Sequence, residues 1–170
     1  MDAGKLKREL DDAFKARARL YRAILDELTA EIGAERAEAV LGRAIEKRGI
    51  AAGTALFGGL ESPTAKDVAD RFLAVSPAEG TLYPHTRDDR AGANGETGVT
   101  VKVHRCPLQE AWREDGASDA EIARLCRISG RFDTGCFGAS GVDFEATTWT
   151  PGSTGCCTLF LGSAAPAGKR

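Results

Sequence analysis

The sequence predicts an α+β fold in which N-terminal helices pack against a small, mainly antiparallel sheet that closes with a C-terminal β-hairpin. Apolar residues recur at every third or fourth position through residues 1–75, which is typical of amphipathic helices. Near residue 100 and again near the C-terminus, the apolar positions change to alternation, which indicates half-buried strands. The order of helices, strand, helices and hairpin favours α+β with an antiparallel sheet.

The chain length fits a single domain. Its 170 residues are enough to bury a core without disulfide support. We expect this domain to span residues 1–163, with a helical part at 1–75, a long loop at 76–98 and a cysteine-containing part at 99–163. Residues 164–170 are expected to form a disordered tail.

Three helices are predicted in the N-terminal half. The first covers roughly residues 4–30, and Gly33 separates it from a second helix that continues toward Leu56. Pro63 and Thr64 precede a short third helix. Charges of both signs cover the outer faces, so we expect these helices to serve as scaffold, with a homodimer interface as the alternative.

The segment at 76–98 is rich in Gly, Pro, Asp and Asn, and only Thr81–Tyr83 has the composition of a strand. Long loops within compact domains are often functional or disordered. This loop contains His85, one of two histidines in the chain. A lid over a site and a solvent-exposed loop are both compatible with this composition.

The cysteine-containing part begins with a strand. Val99, Val101 and Val103 face one side and are expected to be buried. The polar positions between and after them share the opposite face: Thr100, Lys102 and His104. Pro107 ends the strand and suits the first turn of a helix that runs through Trp112.

A second helix and a hairpin follow. Ser118 and Glu121 form an S-x-x-E capping box, and Gly130 ends the helix that they start. The stretch GVDFEATTWT, a PGSTG turn and CCTLFLG form the predicted hairpin. Asp143 and Glu145 share one strand face and are candidates for general acid or base, although exposed strand charges are more common.

Composition excludes several classes of protein. With 23 Lys and Arg against 25 Asp and Glu, the chain has no basic excess for nucleic acid. No apolar run has the length of a membrane span. The N-terminus, MDAGKLKREL, is charged and lacks the apolar core of a secretion signal, so we expect a cytoplasmic protein. Its five thiols are then expected to be free or metal-bound.

All five cysteines lie in the last 65 residues, which suggests a site built from thiols. Cys106 follows His104 by two positions, so the imidazole is placed to take the thiol proton. Lys102, on the same face, is a candidate to stabilise a developing anion. The same spacing also occurs by chance, with a polar strand face that simply contacts water.

The other cysteines have less specific surroundings. Cys126 lies on the apolar face of its helix, where a thiol is usually a small hydrophobic group. Cys136 lies in RFDTGCFGASG, a Gly-rich stretch expected to form a loop that brings a thiol, Asp133 and backbone N–H groups together around an anionic group. Cys156 and Cys157 point to opposite faces of the last strand, so that one can pack while the other lines a site.

A metal site has little support in the spacing. Structural zinc sites usually show C-x₂₋₄-C pairs, and here the nearest analogue is the adjacent pair Cys156 and Cys157. His104 and Cys106 with one later cysteine form the remaining candidate set. We therefore expect no defined cofactor, and a divalent metal stays an open alternative.

Three stretches, HRCPLQEAW, EIARLCRISGRFDTGCF and FEATTWTPGSTGCCTLFL, resemble the L-2-amino-thiazoline-4-carboxylic acid hydrolase family. The resemblance covers roughly residues 97–162 and implies an α+β scaffold. The family's matching positions are an R-C pair, a helix cysteine, a hairpin glycine and a closing cysteine, which correspond here to Arg105 and Cys106, Cys126, Gly152, and Cys156 or Cys157. Ser129 and Thr158 depart from the pattern, since acidic residues are common at both places.

The resemblance implies a hydrolase that opens a small cyclic amidine or thiazoline C–N bond, as when 2-aminothiazoline-4-carboxylate becomes N-carbamoyl-cysteine. In this scheme Cys106 attacks the ring carbon, His104 moves the proton, and Lys102 or Arg105 holds the carboxylate. Asp133 is the third catalytic candidate. The remaining candidates line the pocket: Cys126, Cys136 and one of the two terminal cysteines, taken here as Cys157.

Three alternatives stay open. One is a mechanism in which a metal held by thiols and His104 activates water. Another is a divergent biosynthetic enzyme that cyclises or rearranges a small heterocycle, which the departures at Ser129 and Thr158 would favour. The third is a non-catalytic small-molecule-binding module, because the hairpin also resembles binding domains of the 4-vinyl reductase type.

Overall fold

A computed structural model describes residues 2–89 and 97–162 of the chain. Within these residues there are six helices and four strands, in the following order: α1 (Ala3–Ile32), α2 (Ala34–Phe57), α3 (Ala65–Ala74), β1 (His85–Asp88), β2 (Gly98–Val103), α4 (Pro107–Glu114), α5 (Asp119–Ser129), α6 (Arg131–Gly138), β3 (Asp143–Thr147) and β4 (Thr158–Gly162). The expected α+β class is confirmed. The expected tail at 164–170 lies outside the described residues.

Local sequence signals explain where most helices begin. Asp2 accepts a hydrogen bond from the Gly4 amide at the start of α1. The capping boxes of Thr64 with Asp67 and of Ser118 with Glu121 start α3 and α5. Gly33 alone separates α1 from α2. Its φ of 80° lies in the left-handed region, which favours glycine.

The four strands form one antiparallel sheet in the order β1-β2-β4-β3. Val101 lies opposite Leu159 and Val99 opposite Leu161, and all four are buried on the face that contacts the helices. The predicted alternation and the C-terminal hairpin are therefore present in the structure. The opposite face contains Lys102 and other polar positions.

The first strand differs from the sequence expectation. Thr81–Tyr83 is not a strand, and pairing occurs instead at His85–Asp88, which lies against β2. Leu82 is fully buried, so its side chain belongs to the core and not to a sheet edge. The segment 76–98 is thus structured over its described part.

The expectation of a glycine-rich loop around Cys136 is wrong, because Arg131–Gly138 forms α6. Gly135 of α6 allows this helix to pack closely against α2. A Cβ at Gly135 would lie 2.2 Å from the Glu46 carbonyl oxygen of α2, and one at Gly53 would lie 2.1 Å from the Cys136 carbonyl oxygen. These glycines let the backbones of α2 and α6 touch in the most extensive helix contact of the fold.

The apolar core consists of two clusters. One lies among α1, α2, α4 and α5 and contains Trp112, whose indole N–H donates to the Ala18 carbonyl at 2.8 Å. The other lies between the sheet and α3 and α6, around the fully buried Phe137. Phe132 packs against both clusters, so the N-terminal part of α6 lies where they meet.

No helix in the described residues is both long and apolar enough to cross a membrane.

Gly53→Ala is expected to lower the free energy of unfolding by about 3 kcal/mol, because overpacking a tight contact costs roughly 1–3 kcal/mol and here the new methyl meets backbone. Gly138→Ala is the matched control, since no atom lies within 4 Å of its added Cβ. Urea denaturation of both variants measures the effect. Equal stability of Gly53→Ala and wild type would contradict this account of the α2–α6 contact.

Candidate functional site

Cys106 lies at the junction of β2 and α4. It is the N-cap residue of α4, with an extended backbone, and Pro107 occupies the first helical position. The backbone amides of Leu108 and Gln109 are directed toward its sulfur and lower the pKa of the thiol. The amino end of a helix carries partial positive charge, which stabilises a thiolate when one forms there.

Asp133 lies in the first turn of α6, deep in the protein. Within the described ranges 2–89 and 97–162, no hydrogen bond or ion pair reaches its carboxylate. Loss of hydration alone therefore raises the pKa of Asp133 from 3.8 to about 7. The residue nevertheless retains some accessible surface. The carboxylate is thus held largely away from water and without a partner among the described residues.

Four side chains from separate parts of the chain interact electrostatically: Cys106, Asp133, Cys157 and Tyr83. We call them the thiol–carboxylate cluster. The charge of Asp133 acts on Cys106, Cys157 and Tyr83, and that of Cys106 acts on Cys157 and Tyr83. Each of the four is only partly buried. The cluster lies where the two apolar cores meet, because Cys106 packs on one and Cys157 on the other.

The thiols of the cluster are neutral in the free protein. Burial raises the pKa of Cys106 to about 11 and that of Cys157 to about 12, and the nearby Asp133 contributes to both. The amides of Leu108 and Gln109 lower the Cys106 pKa but do not offset burial. Attack by either thiol therefore requires a base that removes its proton in the complex.

Cys156 and Cys157 point in different directions. The Cys156 thiol is buried under α4 and donates to Oε1 of Gln109 at 3.2 Å. Cys157 lies against the cluster around α6, and its sulfur accepts from the Trp149 amide. Both interact electrostatically with Cys106. The adjacent pair thus borders the same site from two sides.

Gln109 has an unmatched polar atom. Its Nε2 is buried and has no hydrogen-bond partner among the described residues. Its Oε1 accepts from the Cys156 thiol, and its backbone amide lowers the pKa of Cys106, so Gln109 lies beside both thiols.

Cys126 and Cys136 are buried structural neighbours of the cluster. Cys126 belongs to the core around Trp112, and burial raises its pKa far above the usual range. Cys136 lies one turn after Asp133 on α6 and packs with Phe137. Burial first, and then Asp133, raise its pKa to about 11.

Lys102 and His104 lie on the outward face of β2. The Lys102 ammonium donates to the Cys156 carbonyl at 3.0 Å, and it slightly lowers the pKa of both Cys156 and Cys157. The His104 ring is exposed and its Nε2 lies 3.1 Å from the Thr86 hydroxyl. The alternation ends at Cys106, which turns inward as a helix cap, so His104 does not face the thiol.

Arg105 is held by carboxylates. Its guanidinium donates to Glu110 at 2.8 and 2.5 Å, to Asp11 at 2.9 Å and to the Leu82 carbonyl at 3.2 Å. These partners raise its pKa further. The network joins α1 to α4 and leaves Arg105 little capacity for a ligand.

Asp143 and Glu145 are exposed on β3, away from the cluster. A search of residues 2–89 and 97–162 for three or more His, Cys, Asp or Glu side chains placed to hold a metal found none. The structure therefore adds no support for a metal set containing His104 and Cys106.

A separate groove of about 430 Å³ lies between α2, α5 and α6. Its lining mixes charges of both signs with small residues: Glu35, Glu38, Ala39, Gly42, Arg43, Arg127, Ile128 and Arg131. No member of the thiol–carboxylate cluster contributes to it.

The sequence analysis missed Tyr83 and Gln109. Tyr83 precedes β1 within the segment expected to be a loop, and Gln109 has no motif of its own. The interaction of Tyr83 with Cys106 joins residues far apart in the chain, so local patterns contain no sign of it. Gln109 follows Cys106 by three residues at the start of α4, and this spacing was a local signal that the sequence analysis did not use. The composition of the segment before β1 gave only the suggestion of a functional loop.

A family model of L-2-amino-thiazoline-4-carboxylic acid hydrolases matches residues 13–160, which is most of the chain. The protein belongs to this family. The match extends the resemblance from the C-terminal residues to the helices before them, so that α1, α2, the sheet and the thiol–carboxylate cluster all lie within the family's shared region.

Among solved structures, the chain is similar to the crystal structure of the phenol-responsive sensory domain of the transcription activator PoxR with phenol. The TM-score is 0.55 at 18% sequence identity, with 85% of this chain and 73% of that chain covered. At this identity the similarity concerns the fold. A search of curated proteins found no significant match.

Asp133→Asn is expected to raise the free energy of unfolding near pH 8 by up to about 4 kcal/mol and to change it little near pH 4. In the folded protein the wild-type carboxyl keeps its proton up to about pH 7, against an ordinary pKa of 3.8. The folded state thus binds more protons in this window, and stability is lost as the pH rises through it.

Urea denaturation of wild type and Asp133→Asn at several pH values between about 4 and 8 measures this difference. Glu145→Gln, an exposed carboxylate on β3, is the control and should show a small, nearly constant difference. A difference between wild type and Asp133→Asn that does not change with pH would contradict the raised pKa.

Proposed function

We propose that this protein hydrolyses a small cyclic amidine of the 2-aminothiazoline type, with Cys106 as nucleophile and Asp133 as proton carrier. The observation that carries the proposal is the meeting of a thiol at the amino end of α4 with an unpartnered carboxyl group of pKa about 7. Membership of the hydrolase family supports the same chemistry.

The first step removes the proton from the neutral Cys106 thiol. A cyclic amidine is itself a base, so its ring nitrogen takes the Cys106 proton while Sγ bonds to the amidine carbon. The amides of Leu108 and Gln109 at the start of α4 lower the pKa of this thiol, so they favour the negative charge that develops on the sulfur. Substrate binding thus supplies the base that the free protein lacks.

The second step opens the ring. For a 2-aminothiazoline, conversion to an N-carbamoyl thiol requires the bond between the amidine carbon and the ring sulfur to break, and not the C–N bond that the sequence analysis expected. The ring sulfur leaves with its electron pair and takes the Asp133 proton. What remains is an isothiouronium cation bonded to Cys106, beside the Asp133 carboxylate that balances its charge.

Water completes the reaction. The Asp133 carboxylate takes one proton as the water oxygen bonds to the isothiouronium carbon. The Cys106 thiolate then leaves as the carbonyl forms and takes the hydroxyl proton. One water is consumed, and both Cys106 and Asp133 return to their protonated starting forms. A carboxyl group with a pKa near 7 suits both donation and acceptance.

A non-catalytic binding module is the second candidate. The neutral state of every cysteine thiol with a raised pKa favours it, because a binding site has no need of an activated thiol. The fold similarity to a phenol-responsive sensory domain is compatible with this role. Binding of a thiazoline without turnover by the wild-type protein would decide for it.

Cys106→Ser is expected to lower kcat on 2-aminothiazoline-4-carboxylate by at least about 1,000-fold, because a serine hydroxyl gives up its proton far less readily and is a poorer leaving group. Mass spectrometry of the ring-opened product measures turnover, and circular dichroism checks the fold. His104→Gln is the control and should retain most of the activity, since the His104 ring lies outside the cluster. Full activity of Cys106→Ser would refute the scheme.

The pH dependence of kcat/KM tests Asp133 separately. In the wild type it is expected to fall about tenfold per pH unit above pH 7, as Asp133 loses the proton that the leaving sulfur needs. The residual activity of Asp133→Asn should lack this inflection. The amidine of the substrate titrates equally with both proteins, so a shared inflection would belong to the substrate and would contradict the role of Asp133.

A further inference from the structure

Arg17 of α1 lies at the exposed edge of the thiol–carboxylate cluster. Its guanidinium is 4.5 Å from the centre of the Phe14 ring, and the Phe14 ring meets the edge of Tyr83 at 5.4 Å with planes at 82°. The charge of Arg17 also acts on the Tyr83 phenol and lowers its pKa. Arg17 is thus directed toward the cluster by two aromatic rings.

Arg17 differs from its neighbours on the same side of the fold. Arg19 is paired with Glu114 and Asp115, and Arg22 with Glu121. Arg17, in contrast, has no carboxylate partner within residues 2–89 and 97–162. Such an unclaimed guanidinium beside a deep site is free to bind a planar anion in a bidentate manner.

Tyr83 connects this cation to the reacting groups. Its phenol interacts electrostatically with Cys106 and Asp133 as well as with Arg17. Burial raises its pKa far above the usual range, so the hydroxyl remains a hydrogen-bond donor at any ordinary pH. Tyr83 and Phe14 pack with Cys106 against the same apolar core, and Arg17 lies exposed beside these two rings.

We propose that Arg17, assisted by the Tyr83 hydroxyl, binds the carboxylate of the ligand. The proposal rests on the function proposed above and assigns to Arg17 the part that the sequence analysis gave to Lys102 or Arg105. Both of those cations already have partners. An anion at the exposed edge also keeps part of its hydration, which limits the cost of binding it.

The test compares two probes, 2-aminothiazoline-4-carboxylate and 2-amino-2-thiazoline, which lacks the carboxylate. Arg17→Gln is expected to weaken binding of the first by about 10- to 100-fold, which corresponds to one charge-assisted contact. Binding of the second should change by less than about twofold. Arg17→Lys should lie between wild type and Arg17→Gln, because it keeps the charge but not the planar fork.

Arg8→Gln, an exposed arginine on the same helix, is the matched control and should leave both affinities unchanged. Calorimetry is performed in the Cys106→Ser background, so affinity is measured whether or not the protein hydrolyses either probe. Equal weakening of both probes by Arg17→Gln, or no weakening of either, would overturn the proposal. Failure of the wild type to bind the carboxylate probe would also overturn it, whereas binding without turnover would refute only the hydrolase.

Discussion

The architecture depends on the contact between α2 and α6, where glycines replace side chains. Gly53 and Gly135 let two helix backbones meet at a distance that any Cβ would prevent. α6 is a short helix with little amphipathic character of its own, so its position comes from this contact. Because Asp133 lies in the first turn of α6, the same contact holds a carboxyl group in the interior. A backbone contact thus determines where the main electrostatic feature of the protein lies.

That electrostatic feature is the Asp133 carboxyl group, which has no cationic partner among the described residues. Elsewhere the charged groups are arranged in pairs, as in the network of Arg105, Asp11 and Glu110 between α1 and α4. Asp133 instead has neighbours that are themselves acidic, namely thiols and a phenol. The charge of Asp133 makes ionisation of these thiols and of the phenol harder, and loss of hydration keeps Asp133 itself protonated up to about pH 7. A ligand that brings a base relieves this restraint, which links binding to chemistry.

The sequence predicted the elements whose signals are periodic. Stripes along α1 and α2 and alternation along β2 reflect burial against one neighbour, and such patterns survive in the sequence. Glycine was an ambiguous signal. It often ends a helix, but Gly135 lies within α6 and allows this helix to touch α2. The pairing of His104 with Cys106 assumed that the strand continues, whereas Cys106 starts α4. Cys106 and Asp133 were named by residue type, but their proximity arises only from the tertiary fold.

The joint at Gly33 has a consequence for which molecules the fold can accommodate. Arg17 lies on α1, and Asp133 lies on α6, which packs against α2. The cation and the carboxyl group are therefore positioned by two helices that are joined at Gly33. The packing between α1 and α2 therefore sets the distance between the Arg17 guanidinium and the Asp133 carboxyl group. Substitutions among the side chains packed between α1 and α2 would change this distance to fit a longer or shorter molecule. The reacting groups, Cys106 and Asp133, would stay the same. Divergence of ligand size within this scaffold therefore needs no change at the chemistry itself.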